Sequence, residues 1–370
     1  MADKCKLGII FGGRSGEHEV SLMSSRSVLS VLDKDKYQIT QIGIDREGRW
    51  WSGGNVIEKF EKGNTNGLFR VFLLPEPENT ILYRWGDNNE KKDVLALTEL
   101  DVIFPVLHGT FGEDGTIQGF FEMADITYIG AGVLGSSLGM DKGVFKDVMR
   151  ANGIPVVDCI VCTRKDAESN INDIIRQAEQ LFPYPVFIKP ANLGSSVGIT
   201  KAKNRSDLLE GIIEAAQYDR RILIERGISA REIEVSVLGN EHPRASVVGE
   251  IVPSDEFYSY KAKYIDGKSA LYIPAQISEE LSKQVQNFAI KAYEATDCAG
   301  MARVDFLLDN STEKLYLNEI NTIPGFTSIS MYPKLWEASG LSYANLIDEL
   351  IHLALERKME RNKSKRTYGE

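Results

Sequence analysis

Residues Val186 to Thr200 read "VFIKPANLGSSVGIT", with a lysine ahead of a glycine/serine turn. A P-loop has the opposite order: its lysine follows the glycines and opens a helix, so that ammonium and backbone N–H groups cradle the phosphates together. Here the apolar run Val186-Phe187-Ile188 leads into Lys189, and Val197-Gly198-Ile199 reads as a second short strand. Gly194-Ser195-Ser196 then forms the tip of a flexible, donor-rich hairpin loop. The order excludes a P-loop and leaves open what a hairpin with a lysine at its root does.

At 370 residues the chain is long enough for two or three domains. A net charge of −10 argues against general affinity for nucleic acid or an anionic membrane, so a phosphate ligand needs individually placed lysines and arginines. No apolar run approaches the length of a bilayer span, and "LGIIFGG" is too short and glycine-rich for a signal-peptide core. A soluble, cytoplasmic protein is expected, without nucleic-acid or membrane partners. Cys159 and Cys162 form a C-x-x-C, but within "VVDCIVCT" they read as reduced residues of a buried strand, because no second ligand pair accompanies them.

Along the chain, Lys6 to Phe11 reads as a strand, Ser21 to Leu32 as a helix and Gln38 to Ile44 as a strand. Residues from Asp45 to Glu99 read as an elaborated insertion before the strand Asp101 to Leu107 and the helix "TIQGFFEMADI". A second unit begins near Gly130 with a helix from Lys142 to Ala151, stopped by Asn152-Gly153 and Pro155. It continues with a strand through Val161, a helix from about Ala167 to Leu181, the opening hairpin, a helix near Asp207 to Ala216 and a strand Ile222 to Glu225. Beyond it, Arg231 to Leu238, Ala245 to Glu250, Ala302 to Leu308 and Leu315 to Ile320 are strands, with a helix around Glu279 to Ala295 among them. The closing "ERKMERNKSKR" reads as a solvated, partly frayed basic tail.

Charges concentrate in "ARVDFLLDNSTEKLYLNEINTIPG". Arg303 and Asp305 share one strand face, as do Glu319 and Asn321 on the next strand, and the turn "DNSTEK" folds the two strands into a hairpin. Two carboxylates, an amide and an arginine therefore converge. Such a set suits Mg²⁺ bound to a nucleotide, which takes one or two carboxylates with phosphate oxygens. It equally describes an arginine salt-bridge network on a solvated sheet face. Pro324-Gly325 and the following Thr/Ser series place a donor-rich loop beside it. His108 and Gly109 end a strand, where α/β sheets bind ligands, although a lone histidine also serves structurally. "FGGRSGEHEVSLMS" lacks the dinucleotide-binding glycine spacing, and its Glu17 would repel phosphate and attract an ammonium. By pattern alone "EFYSYKAKYIDGKSALYI" is a surface loop.

Taken in order, "FGGRSGEHEVSL", "PVLHGTFGEDGTIQG", "GMDKGVFK", "FIKPANLGSSVGI", "EFYSYKAKY", "RVDF" and "NEINTIPG" resemble the D-alanine:D-alanine ligases of the ATP-grasp family over nearly the whole chain. The resemblance implies an α/β and α+β fold of ATP-grasp architecture. A doubly wound N-terminal domain (1–130, with the insertion at about 45–100) would precede two α+β subdomains that sandwich ATP (131–225 and 226–360) and a basic tail (361–370). It also answers the opening question: the hairpin is a lid that folds over the phosphates, with Ser195, Ser196 and Val197 in it, Lys189 before it and Lys142 as the second phosphate lysine. Glu225, Arg226 and Ile228 would line the adenine pocket, Glu232 would meet the ribose, and Lys263, Asn318 and Glu319 would complete the ATP site. Gly227 stands where some relatives carry a larger residue.

The same resemblance implies two Mg²⁺ (or Mn²⁺) ions on Asp305, Glu319 and Asn321, with a monovalent cation such as K⁺ as a further expectation. Glu17 would take the ammonium of the first D-alanine beside His108, and Arg303 with the Gly325 N–H would stabilise the oxyanion. Ser330 and Lys263 would hold the second substrate's carboxylate near Met331, and Tyr264, Ser195 and Glu17 would close the loop over the site. The expected reaction is ATP-dependent joining of two D-alanines through an acyl phosphate, in a homodimer that serves peptidoglycan synthesis. The alternatives are a D-alanine:D-serine or D-alanine:D-lactate ligase, and an inactive nucleotide sensor. Tyr264 and the apolar Met331 favour the dipeptide.

Overall fold

The computed structural model describes residues 3–86, 93–194, 197–252 and 270–365. Its first sheet has seven strands: β1 (Cys5–Gly12), β2 (Tyr37–Ile44), β3 (Trp50–Ser52), β4 (Phe69–Phe72), β5 (Ile81–Trp85), β6 (Val94–Glu99) and β7 (Val102–Val106). β1 lies between β2 and β7, parallel to both, and the helix His18–Val31 makes the crossover. Leu7, Ile9, Ile10 and Phe11 are buried on both faces of β1, which explains its unbroken apolar run. The expected insertion continues this sheet as the antiparallel series β3 to β6. Its helix Val56–Glu61 sets Phe60 over Gly43, where any Cβ would come within 2.4 Å of the ring.

The second sheet has the order β10-β9-β11-β8, from β8 (Cys159–Thr163), β9 (Val186–Pro190), β10 (Thr200–Ala202) and β11 (Arg221–Arg226). Helices Arg164–Leu181 and Arg205–Tyr218 cover one face, with Ile175, Ala178, Leu208 and Ile212 packed on Ile188, Ile222 and Ile224. Thr163 with Asp166 and Asn204 cap these helices. The lid strand predicted at residues 197–199 instead begins at Thr200, which pairs with Ile188. Gly198 has φ +69°, a left-handed conformation that belongs to a turn instead of a ladder, and only glycine fits there, since a Cβ would meet Tyr218 at 2.8 Å and Pro190 at 2.9 Å. Cys159 and Cys162 sit on β8 as free thiols, and burial pushes Cys162 up to about 11.

The third sheet has the order β14-β13-β12-β15-β16, built from β12 (Ala230–Gly239), β13 (Arg244–Val252), β14 (Ala270–Tyr272), β15 (Gly300–Asp309) and β16 (Leu315–Asn321). Ile233, Val235, Val237, Val304 and Phe306 form its buried face with Val285, Ala289 and Tyr293 of the helix Glu279–Ala295. Helices Met331–Ala338 and Tyr343–Arg361 close the chain.

The basic residues of the last helix are not the solvated tail expected from their charge run. Arg357 donates to the Gly130 carbonyl at 2.7 Å, Lys358 pairs with Asp125 at 2.6 Å, and Arg361 pairs with Glu122 and Asp125. Arg357 also lies 4.3 Å over the Tyr128 ring. The charges fasten the helix to the N-terminal unit because acidic partners distant in sequence meet it there. No helix among the described residues is long and apolar enough to cross a membrane.

Candidate active site

The predicted charge convergence is present, and it is larger than the hairpin alone. Asp305 pairs with Glu319 across β15 and β16, and Arg303 pairs with Asn321. On the other side Asp305 pairs with Glu234 of β12. Three carboxylates thus lie in one cross-strand row on the face opposite the Val304/Phe306 core. A bulge at Asn318 keeps this alignment: Phe306 faces Leu317 while Asp305 faces Glu319, so Leu317 and Ile320 are both buried although three residues apart. Sequence reasoning missed Glu234, because only the pairing of distant strands places it in the row.

Arg303 is the organiser of this face. It donates to both Asp305 oxygens, at 2.7 and 2.6 Å, and its Nε lies 3.0 Å from Glu234. Asn321 donates its amide to Asp305 at 3.0 Å, which leaves its carbonyl oxygen as the ligand-type atom. Among the described residues no group of three or more His, Cys, Asp or Glu side chains is gathered to hold a metal. The fit to a divalent cation rests instead on two facing carboxylates and an amide oxygen, a hard-oxygen set that phosphate oxygens complete.

Two lysines reach this face from the second unit. Asp141 caps the helix Lys142–Ala151 by accepting from the Gly143 and Val144 amides, which sets Lys142 in its first turn. Lys142 Nζ bonds the Leu193 carbonyl, in the chain that follows β9, at 2.7 Å and lies 3.4 Å from Glu319 Oε2. Lys189, at the end of β9, pairs with Glu225 at 2.6 Å. Burial opposes the Lys189 charge, but Glu225 and then Glu319 outweigh it and raise its pKa above the usual lysine value. Lys146, which sequence reasoning missed, is 1% exposed and meets the other Glu225 oxygen at 2.7 Å. Its signal was its position four residues after Lys142, on the same helix face.

Near the adenine-type residues, Arg226 contacts the Tyr316 hydroxyl at 3.4 Å, and Ile228, Glu232, Asn318 and Val197 are half-buried. Gly227 explains itself: its N–H bonds the Pro185 carbonyl at 3.0 Å, and a Cβ there would come within 2.3 Å of that oxygen. A larger residue cannot enter without moving the backbone.

On the first sheet a cavity of about 340 Å³ opens beyond the ends of β1, β2 and β7, lined by Gly12, Gly13, His108 and Phe111 among others. His108 itself is a strut. Its Nδ1 bonds the Ile323 carbonyl at 3.0 Å, so that nitrogen carries the proton, and Nε2 accepts from Ser24 Oγ at 3.1 Å. Burial first, then Arg303, hold its pKa at about 4 against the pull of the Ile323 carbonyl, so the ring is neutral at physiological pH. Ser24 also accepts from the Phe326 amide at 3.2 Å. These bonds fix the loop carrying Gly325, so a substrate contact by His108 requires one of them to open. Ser330 Oγ lies beneath that loop, 2.7 Å from where a Gly325 Cβ would sit, and bonds Thr327. Met331 is 3% exposed, with Cε packed toward Gly249, Ile251 and Leu335. Ser195, Ser196, Lys263 and Tyr264 lie outside the described residues.

Glu17, 8% exposed, is placed by glycines on two sides: a Cβ on Gly109 would come within 2.6 Å of its Oε2, and one on Gly194 of the lid within 2.8 Å. The Gly109 amide meanwhile donates to Glu113 at 2.8 Å. Loss of water contact, then the Glu17 charge, push the Glu113 carboxyl up to about 8. The folded protein therefore keeps a proton on Glu113 that the unfolded chain releases near its usual value, and stability from this group falls as pH rises from about 4.5 to about 8. In the ligand-free protein, Glu113→Gln is expected to gain thermal midpoint relative to the parent as pH rises from 5 to 8. An offset constant across that range refutes the assignment.

The D-ala D-ala ligase N-terminus family model matches residues 6–131, and the D-ala D-ala ligase C-terminus model matches residues 148–352. A D-alanine–D-alanine ligase of Natranaerobius thermophilus is 48% identical over 368 residues, spanning 99% of both chains. Among solved structures, the D-alanine-D-alanine ligase of Coxiella burnetii superposes with a TM-score of 0.81 at 37% identity, covering 98% of this chain and 97% of that one. The VanG D-Ala:D-Ser ligase of Enterococcus faecalis gives 0.81 at 36% identity, covering 95% and 100%. The expected ATP-grasp architecture, α/β followed by α+β, is the observed one.

Proposed function

This chain belongs to the D-alanine–D-alanine ligase family, and from that premise we infer that it joins two D-alanine molecules at the expense of ATP, releasing ADP and phosphate, to supply peptidoglycan precursor. The observation that carries the reading is Lys142 standing 3.4 Å from Glu319 in the row Glu234, Asp305 and Glu319, with Lys189 near enough for the Glu319 charge to raise its pKa.

Lys142 and Lys189 draw the phosphates, and the lid brings Ser195, Ser196 and Val197 over them. Glu225, Arg226 and Ile228 line the base, with Glu232 on the ribose and Asn318 beside Glu319. Asp305, Glu319 and the Asn321 carbonyl would hold the divalent ions, read as two Mg²⁺ or Mn²⁺, and these would supply charge neutralisation at the transferring phosphoryl group. Glu17 takes the ammonium of the first D-alanine and so aims the substrate's own carboxylate at the γ-phosphorus; a carboxylate oxygen bonds to it, the bond to the β-phosphate oxygen breaks, ADP is released and an acyl phosphate forms. The second amine then attacks the acyl phosphate carbon, phosphate leaves, and the developing oxyanion is met by Arg303 and the Gly325 N–H. Arg303 is already held on two sides by Asp305 and Glu234, so its fork needs little reorganisation. Ser330 and Lys263 receive the second carboxylate, and Tyr264 with Ser195 and Glu17 closes the site. Met331, packed among apolar side chains, offers no partner to a serine hydroxyl, which supports alanine. A homodimer, a cytoplasmic location and a monovalent cation such as K⁺ as a further cofactor belong to the same reading.

The test is product analysis with ATP, Mg²⁺ and D-alanine in equimolar competition with D-serine and D-lactate. D-alanyl-D-alanine is expected as the main product, with phosphate release that depends on D-alanine. A D-serine or D-lactate product in majority, or phosphate release indifferent to D-alanine, overturns the reading.

A further inference from the structure

Glu225 is gripped by two ammonium groups of different standing. Lys189 meets Oε1 at 2.6 Å, and its side chain is 13% exposed. Lys146 meets Oε2 at 2.7 Å, and its side chain is 2% exposed. The helix Lys142–Ala151 delivers Lys146 on its buried face, beside Phe145 and Met149. Besides Glu225, its ammonium reaches the Val157 carbonyl at 3.4 Å. A buried lysine is expensive unless it is paired, so a second cation on one buried carboxylate calls for an explanation.

The cleft supplies one. When Lys189 turns toward a nucleotide phosphate its charge is drawn away from Glu225, by sharing its three N–H donors or by leaving the carboxylate altogether. With Lys189 as the sole partner, that departure would strand a carboxylate that is 2% exposed, and the stranded charge would hold the lysine back. We propose that Lys146 is a positioning residue for nucleotide binding: its buried ion pair with Glu225 persists when Lys189 turns to the phosphates, and so makes that exchange of partners possible. Lys146 itself touches no ligand. The proposal rests on the reading that Lys189 meets a nucleotide phosphate.

Lys146→Met is expected to raise KM for ATP about tenfold or more while KM for D-alanine stays within about twofold, as a lost charge-assisted contact on one substrate predicts. Because Lys146 acts only through Glu225, it becomes dispensable once Glu225 is neutral. Glu225→Gln and Lys146→Met/Glu225→Gln are expected to bind a non-hydrolysable ATP analogue with Mg²⁺ equally well, within about threefold, in a double-mutant cycle that is strongly non-additive. Additive effects, or equal rises in the KM of both substrates, overturn the proposal. If Lys146→Met alone does not fold, the comparison of the two Gln-containing variants decides, with Lys146→Met/Glu225→Gln removing both buried charges and Glu225→Gln keeping a carbonyl acceptor for the Lys146 ammonium. Parent protein that fails to bind the analogue refutes the nucleotide reading; parent that binds it with an additive cycle refutes only the role of Lys146.

Discussion

Glu319→Gln is expected to lower kcat by about 100-fold or more while leaving the chemical denaturation midpoint close to that of the parent. Its carboxylate faces Asp305 in register and lies 3.4 Å from Lys142, so neutralising it removes charge where phosphoryl transfer needs it. The side chain is 22% exposed, which spares the fold. Asp305→Asn should behave differently. Asp305 accepts both Arg303 hydrogen bonds and one from Asn321, so its neutralisation loosens Arg303 and costs stability as well as turnover. Steady-state kinetics across a Mg²⁺ titration, paired with denaturation curves, separate the two variants. Turnover of Glu319→Gln near that of the parent, with unchanged metal dependence, would remove Glu319 from the site.

Gly109→Ala is expected to weaken use of D-alanine by about 10- to 100-fold in kcat/KM, the scale of one lost charged hydrogen bond. Gly109 has φ +73°, and an alanine Cβ would fall 2.6 Å from both Glu17 Oε2 and Ser15 Oγ. The backbone must shift or the carboxylate must leave, and either displaces the group proposed to receive the ammonium. KM for ATP should change far less, because the phosphate lysines stand on other elements. Equal loss for both substrates would mean general damage and sink the assignment of Glu17.

Local pattern carried much of this site into view. The helices Lys142–Ala151 and Glu279–Ala295 begin and end where their periodicity and stop signals place them. Asp305, Glu319 and Asn321 were legible because period-two alternation and a hairpin turn are both local, and the bulge at Asn318 preserved the face that alternation assigns. The strand expected at residues 197–199 was misplaced because Gly198 takes a left-handed φ of +69°, a backbone choice that the apolar pattern Val197-Gly198-Ile199 does not encode.

What the sequence by itself determined is the set of chemical groups and their local faces: lysines before a glycine-rich turn, carboxylates alternating with apolar residues, and a family resemblance running the length of the chain. What only the tertiary structure decided is partnership between distant residues. Glu234 joins the carboxylate row through the β12–β15 ladder, Lys146 becomes the second cation of Glu225, His108 spends both ring nitrogens on Ser24 and Ile323, and Arg357, Lys358 and Arg361 turn from a solvated run into a clamp on Glu122, Asp125 and Gly130. Each of these contacts joins polar or charged groups that are unremarkable in water but costly when buried unpaired. Whether such a charge is buried, and beside what, is set by packing between elements far apart in the chain, which no local pattern encodes.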